Sequence, residues 1–202
     1  MRLRLLALIA AGFVGGAAVG LAVVPGALDS LQAPSQVTSI GKAAVGGPFT
    51  LTDHTGRRVT DKDFRGKYML VYFGFTFCPD VCPSGLQVIS AALDELGPKA
   101  DKITPIFITV DPERDTPEQL AQYVSSFHPR LIGLTGTPEE IQAVAKEYRV
   151  YYRKVKDEKS TAEYTVDHTS IIYLMNPQGE FVTHFTHATP VATMVEKLKK
   201  VL

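Results

Sequence analysis

Apolar positions along the chain fall into two periodicities. Tyr68 to Phe75 and Ile103 to Val110 are continuous apolar runs rich in β-formers, which suit strands buried on both faces of a sheet. Pro83 to Leu96 carries Leu86, Ile89, Leu93 and Leu96 on one helical stripe, and Gly97-Pro98 ends it. Thr116-Pro117-Glu118 opens a helix to about Phe127, with Thr116 as N-cap and Pro117 at the first helical position. Thr137-Pro138-Glu139-Glu140 repeats that chemistry for a helix to about Tyr148, Glu140 completing a capping box. Phe49 to Thr60 reads as a small hairpin turning at Asp53 to Gly56. Leu131 to Leu134, Tyr151 to Val155 and Ser170 to Leu174 are short strands. Asn176 to Gly179 is a turn into a partner strand, Glu180 to Thr186, and Val191 to Val201 closes the chain as an amphipathic helix. The pattern predicts an α/β sheet with helices on both faces, in the β-α-β-…-β-β-α order of a thioredoxin-like fold with insertions.

The N-terminal end follows neither period. Arg2 and Arg4 precede 24 uncharged residues, Leu5 to Leu28. As a helix this segment would span roughly 36 Å, enough for a hydrocarbon core of about 30 Å. Residues 1–28 are therefore expected to be an N-terminal transmembrane helix, or else a secretory signal cleaved near Ala18-Val19-Gly20. The basic flank predicts an N-in, C-out orientation across the inner membrane, with the rest of the chain on the periplasmic side. Residues 29–47 read as a flexible linker and 48–202 as the folded domain.

Composition narrows the function. Lys+Arg and Asp+Glu are 21 each, so a nucleic-acid partner, which would demand a basic excess, is not expected. Only two cysteines occur, which excludes a dense disulfide scaffold and a four-cysteine zinc site.

Both cysteines lie in Phe77-Cys78-Pro79-Asp80-Val81-Cys82-Pro83, between a buried strand and a helix start. Pro83 suits the first helical position, which puts Cys82 at or near the N-cap, where free N–H groups and the helix dipole favour a thiolate. The spacing leaves open a disulfide, two inert thiols, or two sulfurs aimed at one soft metal ion. A metal site needs a third ligand, and five histidines are available. His54 falls in the hairpin turn and reads as solvated. His128 stands at a helix end, and His184 and His187 lie three apart on a late strand. His168 follows Asp167 in a loop just ahead of the strand from Ser170, at the sheet edge expected to face the cysteine loop, although position alone slightly favours an ordinary loop histidine over a ligand. Asp111 and Asp115 close the second buried strand, as caps for the next helix or as metal contacts. Asp80 reads as a turn residue or a modulator of the cysteines. Asp167 reads as an orienting partner of His168 or as a solvated acid.

Three blocks carry a resemblance. Phe73-Gly74-Phe75-Thr76-Phe77-Cys78-Pro79-Asp80-Val81-Cys82-Pro83, Thr109-Val110-Asp111-Pro112-Glu113-Arg114-Asp115-Thr116-Pro117 and Val166-Asp167-His168-Thr169-Ser170 resemble the motifs of the Sco/SenC family, in the right order over about Gly47 to Leu202. Some members carry histidine where Phe77 stands, but that histidine is not one of the family's copper ligands. The resemblance implies a membrane-tethered thioredoxin-like copper protein. It implies Cys78, Cys82 and His168 as ligands for Cu(I) or Cu(II), and a part in assembling cytochrome c oxidase. The partners it implies are oxidase subunit II, a copper donor protein and a thioredoxin-like reductant.

Three functions compete on these residues. A copper-binding assembly factor, which is not a turnover enzyme, needs Cys78, Cys82 and His168. A thiol–disulfide reductase, with Cys78 and Cys82 as its redox-active pair, needs the cysteines alone. A thioredoxin-like peroxidase needs one cysteine above the other.

Overall fold

The computed structural model describes residues 44–156 and 163–202. The expected anchor over 1–28 and most of the linker over 29–47 lie outside the described residues. Of the linker, Val45 packs against the core, and the Gly46 N–H donates to the Glu147 carbonyl at 2.9 Å. Among the described residues, no helix is long and apolar enough to cross a membrane.

Nine strands are described: Thr50–Asp53 (β1), Arg58–Thr60 (β2), Tyr68–Gly74 (β3), Ile103–Thr109 (β4), Ile132–Thr135 (β5), Tyr152–Val155 (β6), Thr165–His168 (β7), Ile171–Met175 (β8) and Phe181–Thr186 (β9). The four α-helices are Val81–Leu96 (α1), Pro117–Ser125 (α2), Pro138–Glu147 (α3) and Val191–Val201 (α4). Seven strands form one sheet in the order β2-β1-β5-β4-β3-β8-β9, and β6 pairs with β7 in a separate hairpin. The core β3-α1-β4-α2-β8-β9-α4 is the expected thioredoxin-like succession. The segment β5-α3-β6-β7 is inserted between α2 and β8.

Side-chain alternation along β3 explains the layering. Met69, Val71 and Phe73 enter one core cluster with Ile141, Val144 and Tyr148 of the α3 region. Leu70 and Tyr72 enter the other, with Leu86, Ile89 and Leu93 of α1, Leu120 and Val124 of α2, and Met194 and Leu198 of α4. Every β3 residue after Tyr68 is buried, as a strand covered on both faces requires. The helix starts follow the expected chemistry. Thr116 Oγ1 accepts the Gln119 N–H at 3.3 Å, and Thr137 with Glu140 forms a capping box.

One strand was not legible. His168, expected in a loop after Asp167, instead ends β7, and residues 165–168 pair with β6, Tyr152 opposite His168. The stretch is short, and its alternation is broken by Asp167 and His168, so periodicity does not reveal it.

Candidate metal centre

Sheet register decides what lies beside the cysteines. β3 runs parallel to β4 with Gly74 opposite Thr109, so the loop after β4 shares the edge where the cysteine loop leaves β3. β8 runs antiparallel to β3 with Tyr72 opposite Ile172, so the residues that lead into β8 reach the same edge. Three distant sequence blocks, 74–83, 109–117 and 166–170, therefore meet at one end of the sheet.

The helix after the cysteine loop begins earlier than expected. Asp80 is the N-cap, Val81 opens α1, and Cys82 and Pro83 are its second and third residues. Proline fits there because the first-turn N–H groups have no partner within the helix. The first such bond runs from the Ser84 N–H to the Asp80 carbonyl at 3.1 Å. Tyr72 Oη fastens this turn to the sheet by donating to the Val81 carbonyl at 2.9 Å.

Cys78, Cys82 and His168 present Sγ, Sγ and a ring nitrogen, all within 4.8 Å of one another. The Cys82 N–H donates to Cys78 Sγ at 3.4 Å, and Cys82 Sγ lies 3.3 Å from His168 Nε2. His168 Nδ1 sits 3.2 Å from the Thr169 carbonyl. A carbonyl only accepts, so Nδ1 carries a hydrogen there, and Nε2 is the ring nitrogen that faces the sulfurs. The Phe75 ring meets the imidazole edge-on, 5.7 Å between centroids. Gly74 leaves the space that Cys82 Sγ occupies: a Cβ there would stand 2.7 Å from that sulfur and 2.8 Å from Phe107 Cε2. Both cysteines are buried and unbridged, and the imidazole is half-buried.

Their protons are unequally held. A hydrogen bond from Cys82 pulls the Cys78 thiol well below its ordinary value; burial opposes this, and His168 and the N–H groups at the helix start reinforce it. The Cys82 thiol is pushed well up, first by its bond to Cys78 and then by burial. The expectation that Cys82 would be the thiolate at the helix start is thus reversed. Because α1 begins at Val81, the Cys82 N–H points back to Cys78.

The acidic block makes side-chain contacts other than the cap or metal contact expected of it. Asp115 accepts from the Thr76 N–H at 3.0 Å, Thr76 Oγ1 at 2.6 Å and Thr109 Oγ1 at 2.6 Å, which staples the cysteine loop to the end of β4. Burial pushes its carboxyl up, against those hydrogen bonds. Asp111 accepts from Arg114 Nε and from Tyr164 Oη. Both carboxylates are fully buried and stand outside the sulfur–imidazole group. Asp80 caps α1 without a side-chain bond. Asp167 is exposed and paired in register with Arg153, so the Thr169 carbonyl orients His168 instead.

The other histidines stand apart from this group. His54 is not simply solvated, since its Nδ1 accepts the Gly133 N–H at 3.1 Å. His128 is buried, and its Nδ1 accepts the Arg130 N–H at 3.1 Å. His184 lies on β9 opposite Tyr173, and His187 lies beyond that strand's end. Arg114, Thr76 and Tyr164 were not singled out from the sequence. Gly74 carried a signal, because a glycine inside a buried strand marks a close approach.

Comparison with known proteins agrees with this geometry. The SCO1/SenC family model matches residues 37–202. The human protein named "Protein SCO1 homolog, mitochondrial" is 54% identical over 149 residues, 72% of this chain and 49% of that one. The chain spans about half the length of the curated relatives it matches. The crystal structure of Arabidopsis thaliana ScoI with copper bound superposes with a TM-score of 0.74 at 47% identity, covering 78% of this chain and 98% of that one. Bradyrhizobium japonicum ScoI with copper bound gives 0.72 at 50% identity, covering 79% and 100%.

Proposed function

The chain belongs to the SCO1/SenC family, and we propose that it is a copper-binding assembly factor for cytochrome c oxidase that delivers copper to the dinuclear centre of subunit II. The observation that carries this reading is the convergence of two sulfurs and one imidazole nitrogen within 4.8 Å. The donor set fits the ion: thiolate selects Cu(I), and imidazole accepts either oxidation state. Cys78, Cys82 and His168 would hold the copper, and Thr169 fixes the tautomer that turns Nε2 toward it. Low coordination at a half-buried edge suits cargo passed on by ligand exchange. Copper-bound relatives at 47% and 50% identity support the assignment.

In this reading residues 48–202 form the copper-binding domain, and Leu5 to Leu28 tether it by a single pass to the inner membrane, on the periplasmic side. Its partners are then subunit II, a copper donor protein and a thioredoxin-like reductant.

The unequal cysteines favour a second activity on the same atoms, reduction of the subunit II disulfide. The Cys78 thiolate attacks one sulfur of the partner disulfide, and the other sulfur leaves as a thiolate that takes up a proton. Cys82 then gives up its proton and attacks Cys78 Sγ, which releases the second partner thiol. Two electrons pass to the partner, and Cys78–Cys82 ends as a disulfide.

An anaerobic copper titration of the reduced protein tests the first reading. One copper per chain is expected, abolished in Cys78→Ala/Cys82→Ala and weakened about 10–100-fold in His168→Ala. Copper bound equally by wild type and the double cysteine variant would refute it.

A further inference from the structure

We propose that Arg114 is a positioning residue that sets the separation between the His168 imidazole and the two thiols; this rests on the copper reading above. His168 arrives on the β6–β7 hairpin, which has no ladder to the main sheet. An isolated two-stranded hairpin is marginal in water, so its placement depends on tethers. The Thr169 N–H donates to the Tyr151 carbonyl at 2.9 Å, which closes the hairpin's own base, while Val166 is buried in the core with Tyr152 and Tyr164 packed against the same cluster. Further along the hairpin Arg114 adds a polar tether.

One guanidinium touches three segments. Its Nε donates to Asp111 in the loop after β4, and its Nη1 donates to the Tyr164 carbonyl at 3.1 Å in the hairpin. Its Cζ lies over three rings, 3.9 Å from the Tyr164 centroid, 4.6 Å from Phe77 and 5.9 Å from Phe75. Tyr164 Oη closes the circuit by donating to Asp111 Oδ1 at 2.8 Å. Phe75 and Phe77 flank the cysteine loop, and Phe75 also meets the His168 ring. Arg114 thus couples the hairpin that carries the imidazole to the loop that carries the sulfurs. Lysine could not replace it, because the contact uses a planar fork that hydrogen-bonds in two directions while lying over the rings. Lys154 adds an exposed strap to the same loop, with Nζ 2.6 Å from Glu113 Oε2.

The test compares Arg114→Met and Arg114→Lys with wild type in the full reduced chain. Copper(I) affinity is read by chelator competition, and the copper–imidazole contribution by X-ray absorption. Both variants are expected to lose about 10–100-fold in affinity, with a diminished imidazole signal. Arg114→Met/His168→Ala should bind no more weakly than His168→Ala alone, because Arg114 acts through the imidazole. Wild-type affinity with an intact imidazole signal in either variant overturns the proposal, as do losses that multiply in the double variant. A metal-free arm separates this from the copper reading. Amide exchange across Tyr152–Val155 and Thr165–His168 should quicken about tenfold or more in Arg114→Met, with β3 and β4 unchanged. Unchanged hairpin exchange overturns the positioning role whatever copper does. Copper bound equally by wild type and Cys78→Ala/Cys82→Ala would sink the copper reading alone.

Discussion

Gly74→Ala places one methyl group against the sulfur of Cys82 without replacing any of the three candidate ligands. The new Cβ would meet Cys82 Sγ at 2.7 Å and Phe107 Cε2 at 2.8 Å, where non-bonded contacts of this kind settle near about 3.5–4.0 Å. Roughly 1 Å must be found, and Phe107 cannot supply it, being fully buried on central strand β4. The sulfur must move, and it starts 3.3 Å from His168 Nε2. Overpacking of this kind costs about 1–3 kcal/mol. For a chain of this size, at about 2–4 °C per kcal/mol, Tm should fall roughly 2–12 °C. Copper(I) affinity should fall about tenfold or more, because a ligand has been displaced. Thermal melts and chelator competition read the two effects. Gly74→Ala/Cys82→Ala should be less destabilised than the single variants summed, since removing Sγ relieves half of the clash. A Gly74→Ala protein that melts within about 1 °C of wild type and binds copper as tightly would refute the contact argument.

Two further outcomes follow from charge. The Cys82 N–H points at Cys78 Sγ, and Cys78 is held well below and Cys82 well above the ordinary thiol range, so loading copper(I) at pH 7.5 should release about one proton per ion. Two ordinary thiols would release nearly two, and calorimetry in buffers of different ionisation enthalpy distinguishes the cases. At the far end of the sheet, burial raises the Asp53 carboxyl, but hydrogen bonds from Thr55 and Arg57 overcome it and hold the group at about 2. A lowered folded-state value gives stability that is present above the ordinary carboxylate range and lost as pH falls from about 4 through 2. The stability advantage of wild type over Asp53→Asn should therefore shrink by about 1.5 kcal/mol between pH 5 and pH 2.5, measured by urea unfolding. A constant gap would mean that the carboxylate is not held in this way.

Much of the fold depends on short-range signals and was readable from the chain. The buried strands β3 and β4 announce themselves as apolar runs, and α2 and α3 by Thr-Pro-Glu starts whose caps form as expected. The cysteines were legible as a pair at a strand-to-helix junction, because proline and the strand's end fix that junction locally. Elements whose signal is weak were not readable. β7 is four residues long, and only its partner β6 makes it a strand.

What the sequence determined by itself is thus the strongly patterned elements, their order and the cysteine pair Cys78 and Cys82, while His168 stood out only through the family resemblance. Tertiary structure decided how that chemistry is assembled. The register of β3 against β4 and β8 brings three blocks, separated by dozens of residues, to one sheet edge. There Asp115 becomes a staple for Thr76, and Arg114 becomes a bridge between loop and hairpin. The first turn of α1 directs its N–H at Cys78 rather than leaving Cys82 the thiolate. These outcomes are non-local: a buried group's proton affinity and partners are set by whatever the fold packs around it, and local pattern along the chain carries no record of that neighbourhood.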